Sequence, residues 1–181
     1  AMGEAITERD SLPVMTTLGV TTLISDSGVT RYRVNTEEWM MYDRKKPSYW
    51  AFEKGVYMEQ FDSIFNVEAS IKADTAYYYD KERLWKLIGN VDIQNRKGER
   101  FNTELLYWNE ATQKVYSDKF IRIQQPDRII TGHGFDSNQQ MTIYTIRNIE
   151  GIFYVDEEAS SGPPQPETKA LPDSVNKDAA K

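Results

Sequence analysis

The chain of 181 residues carries 39 % hydrophobic and 12 % aromatic side chains, a formal net charge of −6 and no cysteine. That length suits one domain with a tail. The lack of cysteine excludes a disulfide framework and thiolate metal sites, and the acidic balance argues against nucleic acid as a partner.

Residues 1–13 are polar, end at Pro13 and predict a disordered lead-in. The sequence starts at Ala1 and not Met, so it reads as a processed fragment whose upstream signal or anchor has been removed. No run approaches the ~18 consecutive apolar residues of a membrane span. From 14 to 156 the pattern is strand and turn. Residues 15–24 carry no charge. Residues 36–41 (Thr-Glu-Glu-Trp-Met-Met) lack a cap and a periodic stripe and are read as strand. Turn signals fall at Asp26-Ser27-Gly28, 43–47, 80–83, 95–98, 109–112 and 125–127. Across 65–74 every odd position is apolar and every even one polar, the period of a half-buried strand. Trp85, Leu87, Gly89, Val91 and Ile93 repeat the pattern.

Two segments read as one β-hairpin written twice, thirty residues apart. Residues 73–80 with 85–93 form the first copy, and 103–110 with 115–123 the second. Asp74 then falls on Glu104, Tyr77 on Tyr107, Tyr78 on Trp108, Val91 on Ile121 and Ile93 on Ile123. A fixed period in strand-rich sequence predicts stacked hairpins. The expected fold is all-β, an elongated, twisted, open β-jelly roll of stacked antiparallel hairpins. Its apolar interior suits a long apolar ligand better than a compact active site. Residues 137–146 are again uncharged. Residues 157–181 hold Pro163, Pro164, Pro166 and Pro172 among polar residues and no aromatic, which predicts a disordered tail.

Little here points to chemistry. His133 is the only histidine and stands between Gly132 and Gly134, outside any phosphate-loop context. One histidine cannot make a histidine cluster for a metal, and no nucleophile motif accompanies it. Most carboxylates occupy alternating, solvent-facing positions, the pattern of a solvated face. Tyr77-Tyr78-Tyr79 would suit a sugar-stacking platform, but packing between strands is the commoner use. The expectation is no enzyme, no cofactor and no metal. The uncharged first and last strands are candidate edges. Edges that lack charge invite strand addition from another chain, and plain coverage by neighbours is the equal alternative.

Residues 67–74, 84–87 and 89–93, with 100–105, Ser117-Asp118 and 129–135 (Ile-Ile-Thr-Gly-His-Gly-Phe), resemble the LptC family in order and spacing. The resemblance spans roughly 19–155. It implies a periplasmic lipopolysaccharide-export protein with an LptA/OstA-like jelly roll, anchored to the inner membrane of Gram-negative cells. Such a protein accepts lipopolysaccharide from an inner-membrane ABC transporter and passes it to a periplasmic bridge protein of the same fold. Each CH₂ left in water costs about 0.8 kcal/mol, so acyl chains need an apolar path across the aqueous compartment. The rows expected to face inward and contact lipid are Phe65, Val67, Ala69, Ile71, Trp85, Leu87, Val91, Ile93, Phe101, Leu105, Ile121, Ile123 and Phe135. The expected docking edges are Leu18, Val20 and Thr22 at one end and Met141, Ile143 and Thr145 at the other. A carbohydrate-binding or adhesin-like jelly roll, a soluble LptA-type bridge protein, and a scaffold binding only protein remain open.

Overall fold

The computed structural model describes residues 11–155. The tail expected at 157–181, and most of the lead-in expected at 1–13, lie outside those residues. Eleven strands form one antiparallel sheet: β1 (Met15–Asp26), β2 (Val29–Tyr42), β3 (Tyr49–Phe52), β4 (Val56–Phe61), β5 (Val67–Ala73), β6 (Thr75–Tyr79), β7 (Leu84–Asn95), β8 (Arg100–Asn109), β9 (Lys114–Gln124), β10 (Arg128–Asn138) and β11 (Tyr144–Tyr154). Residues 36–41 lie in β2, as strand. Both halves of the thirty-residue repeat are hairpins: β6 pairs with β7, and β8 with β9.

The register reduces this to a simpler plan. One flank of β2 pairs with β4 through residues 32–36 and with β3 through 40–42. Likewise β7 pairs with β5 through 92–95 and with β6 through 84–88. So β3 with β4, and β5 with β6, are each one long run broken in the middle. Nine runs then follow one another up and down, each beside its successor in sequence. Such neighbours close only short loops, which keeps the entropic cost of assembly low.

The breaks line up. The β5/β6 break lies at Asp74, the β7–β8 register shifts between Ile88 and Val91, the β8–β9 register between Thr103 and Tyr107, and the β9–β10 register between His133 and Phe135. Asp74, Gly89, Glu104, Lys119 and Gly134 therefore mark a crease at a constant spacing of 15 residues. Two spacings make the thirty-residue repeat seen in the sequence. Along the crease, backbone groups that lose ladder partners find side chains instead. Thr36 Oγ1 donates to Gly55 O (2.8 Å), Thr103 Oγ1 to Phe120 O (2.7 Å) and Ser117 Oγ to Leu105 O (2.6 Å). All three hydroxyl residues are buried, where an unpaired carbonyl would be costly.

The sheet folds over at the crease into two layers with the core between them. Contacts between strands far apart in the sheet establish this. Tyr32 of β2 meets Trp108 of β8 edge-on at 4.9 Å, and Asn95 Nδ2, at the end of β7, donates to Met141 O (2.9 Å) in the β10–β11 turn. Tyr144 at the start of β11 donates to Glu99 Oε2 (2.5 Å) in the β7–β8 turn. This is the rolled, open all-β architecture that the repeat implied.

The expectation for residues 137–146 needs correction, because they are not one strand. Asn138 Oδ1 accepts the N–H groups of Thr142 (2.9 Å) and Ile143 (3.1 Å), closing a turn between β10 and β11. Met141 is buried in that turn and Ile143 is exposed on it, so of the three residues expected at this edge only Thr145 lies in β11. The last edge strand is also charged, carrying Arg147 and Glu150. At the other end β1 is an edge as expected, with Leu18 exposed and Val20 and Thr22 half-buried.

Candidate functional site: an apolar interior and its mouth

Ten of the thirteen residues expected to face inward do so. Ala69, Ile71, Trp85, Leu87, Val91, Ile93, Phe101, Ile121, Ile123 and Phe135 are all buried, and all but Ala69 belong to one cluster that runs across both layers. Their pleat faces the opposite layer because strand side chains alternate. Three do not fit. Phe65 lies in the β4–β5 turn with φ +67° and stacks on Phe61 at 4.3 Å. Val67 is outside because the β4–β5 register slips by one residue between Gln60 and Phe61, which reverses the alternation before Ala69. Leu105 falls at the crease, where the alternation in β8 changes phase, so Leu106 is the buried residue.

Sequence reading missed Val34, Phe52, Met58, Leu106, Trp108 and Met141 from the core. The signal for Trp108 was present in the repeat, which aligns it with Tyr78. Met141 had none, since its burial depends on a turn folding onto the far layer.

Opposite the crease the two layers part at a mouth of ≈ 580 Å³. Ile24, Tyr32 and Phe61 border it from one layer, and Tyr78, Glu110 and Gln140 from the other. Glu110 organises this region. Its carboxylate accepts Trp85 Nε1–H (2.9 Å) and Tyr78 O–H (3.1 Å) and lies 3.6 Å from Arg83 Nε. Burial, and then the charge of Glu110, push the Tyr32 phenol up to about 12 and raise that of Tyr78 as well. The shifts favour the neutral phenol in both, and Tyr78 donates its O–H to Glu110. Arg33 lies over the Phe61 ring at 5.2 Å, on the same rim.

The Thr131 to Phe135 stretch is explained by packing. His133 lies on the outer face in contact with Glu150, its ring edge-on to Phe120 at 5.5 Å. Gly134, with φ +80°, leaves space for Arg147 of β11, and a Cβ there would lie 2.8 Å from Arg147 Nε. Arg147 crosses this gap to donate to Ser117 O (2.7 Å) and Asp118 Oδ1 (2.8 Å) on β9, and its Nε lies 3.2 Å from Asp136. Among the described residues no group of three or more histidine, cysteine or acidic side chains is placed to hold a metal, and no helix is long and apolar enough to cross a membrane.

A family model described as lipopolysaccharide-assembly, LptC-related, matches residues 14–153. No curated protein matches the chain. The family is a set of transport components, periplasmic and associated with the inner membrane of Gram-negative cells, that work with lipopolysaccharide and the rest of the Lpt complex. A two-layer roll with an apolar interior, a mouth and two free edges fits that membership, and the chain belongs to the LptC family and takes part in lipopolysaccharide transport.

Proposed function

We propose that this chain receives lipopolysaccharide from the inner-membrane ABC transporter and passes it to a periplasmic bridge protein of the same fold, with the acyl chains held between the two layers. The observation that carries this reading is the unbroken apolar cluster, which includes Ile71, Leu87, Ile93, Phe101, Ile121 and Ile130 across five successive runs. An acyl chain inserted there leaves water at about 0.8 kcal/mol per CH₂. No reaction is required of the site, and the chain acts by holding lipid. An N-terminal segment upstream of β1 anchors it to the inner membrane.

The free flanks of β1 and β11 are the docking edges. Each has an unpaired row of backbone donors and acceptors, and strand addition would extend the sheet into a neighbour of like fold. Ile149, Ile152 and Phe153 on β11 are exposed and supply apolar contact to such a neighbour.

The test is site-specific photo-crosslinking. A crosslinker at Leu87, whose side chain is inside, is expected to label lipopolysaccharide, and one at Lys86, on the other face, is not. Labelling at neither position in the folded protein sinks the interior-groove reading. Binding of delipidated polysaccharide instead would select a lectin. For the edge, Ile149→Lys should reduce capture of the bridge protein about tenfold or more, because a lysine blunts strand pairing. Unchanged capture removes β11 as the docking strand.

A further inference from the structure

Two indole N–H groups, those of Trp39 and Trp108, are buried without an acceptor among the described residues. The case of Trp108 is the more pointed. Its ring is stacked with Trp85 at 6.3 Å and an interplanar angle of 13°, so the two indoles share one environment. Yet Trp85 Nε1–H is bonded to Glu110, and Trp108 Nε1–H has no acceptor among the described residues. Trp108 is only 3 % exposed and packs edge-on against Tyr32, which borders the mouth. It therefore stands at the boundary between the polar mouth and the apolar interior.

An indole nitrogen is a donor only, so whatever satisfies it must be an acceptor. Its surroundings are aromatic, and the charged acceptor nearby, Glu110, is already held by Trp85 and Tyr78, so a second charge would lose its hydration there without such paired donors. The acceptor that fits is a neutral oxygen. An amphiphile with its tails in the interior and its head group in the mouth carries such oxygens at that depth, in the ester or amide linkages of its acyl chains. We propose that the Trp108 indole donates to an acyl-linkage carbonyl of the bound lipid, making Trp108 a specificity residue that separates acylated amphiphiles from plain alkyl ones. This inference rests on the lipid-holding reading above.

The test uses the four tryptophan indole resonances of the ¹⁵N-labelled chain. On addition of lipopolysaccharide, the Trp108 indole proton should move downfield as its hydrogen bond forms, while that of Trp85 keeps its position. Trp108→Phe preserves the ring and removes the donor. It should weaken lipopolysaccharide binding about fivefold, the worth of one neutral hydrogen bond. Binding of dodecyl maltoside, which has a tail but no acyl carbonyl, should be unaffected. If Trp108→Phe fails to fold, the wild-type resonance decides alone, assigned through Trp39→Phe, Trp50→Phe and Trp85→Phe. A Trp108 resonance that stays put while lipopolysaccharide binds overturns the inference and leaves the transport reading intact. Equal weakening for both probes overturns it too, since lost packing would then explain the effect. Failure of the wild-type chain to bind lipopolysaccharide overturns both.

Discussion

The two edge strands do the same topological job and are built differently. β1 is held by its ladder to β2, by Ile24 packed against the core at its end and, among the side-chain hydrogen bonds of the described residues, by a single long hydroxyl contact between strands, Ser25 to Thr30 at 3.4 Å. β11 is fastened by side chains along its length. Tyr144 bonds to Glu99 and accepts from Gln125 Nε2 (2.6 Å), Arg147 reaches over β10 to β9, and Glu150 meets His133. An edge held mainly by backbone can exchange its partner at low cost, whereas an edge fastened three strands deep keeps its shape when a neighbour docks. The difference teaches that a free edge is specified by what ties it back into the sheet as much as by what it exposes.

Four substitutions or titrations would break or sharpen that contrast. The largest effect is expected from Gly132→Val. A Cβ at residue 132 would lie 2.3 Å from Asn148 O, which is backbone and cannot swing aside. β11 must then lift from β10, at a loss of roughly 3 kcal/mol or more, the range of severe single mutations. Thermal unfolding and hydrogen exchange would show it, with β11 amides deprotected and β1 amides as before. Equal deprotection of both edges would mean that the sheet responds as one unit.

Arg147→Ala comes next. It removes the bonds to Ser117 O and Asp118, for about 1–2 kcal/mol, much of it from the backbone carbonyl left unpaired at the crease. Exchange should quicken in β11 and around residues 117–120 together. Quickening in β11 alone would show that the crease holds without the arginine.

The third concerns pH. Burial and the bond to Glu99 push Tyr144 from 10.0 up to about 12. A raised value means that the folded state favours the neutral phenol. Its contribution is whole below pH 10 and is lost as pH rises toward 12. Unfolding followed over that window should show stability falling, with a shallower fall in Tyr144→Phe. The same slope in both proteins would assign the loss to Tyr32 and the other raised phenols. Least of all is expected from Leu18→Lys on β1. Leu18 is 68 % exposed, and such a surface change is worth about 0.5 kcal/mol or less. A larger loss of melting stability would show that β1 is tied down by more than its ladder.

Much of the fold was legible because strand alternation and hairpin repetition are local signals. Ala69, Ile71, Trp85, Leu87, Val91 and Ile93 could be placed by counting in twos. Counting fails wherever the backbone changes phase, and phase is set by pairing with a neighbour. Leu105 and Leu106 are both apolar, so only the crease decides which one is buried. Val67 continues a perfect alternation in the sequence and is turned outward by a register slip against Phe61. The mouth was beyond reach for another reason. It is formed by turns that meet when the sheet folds over, and Gln140 and Phe61 have no relation in the sequence. The inward rows could thus be written down as residues, but not as two facing layers with a gap between their ends.

The crease has a consequence for growth. A 30-residue insertion between Asp74 and Glu104 adds two strands and brings the crease back into phase, so a duplicated hairpin leaves the cross-section of the roll unchanged and only lengthens it. An insertion of one residue in any strand shifts that strand's bend out of line with its neighbours. The architecture therefore extends by whole hairpins, and its length is a quantity that gene duplication can set independently of its bore.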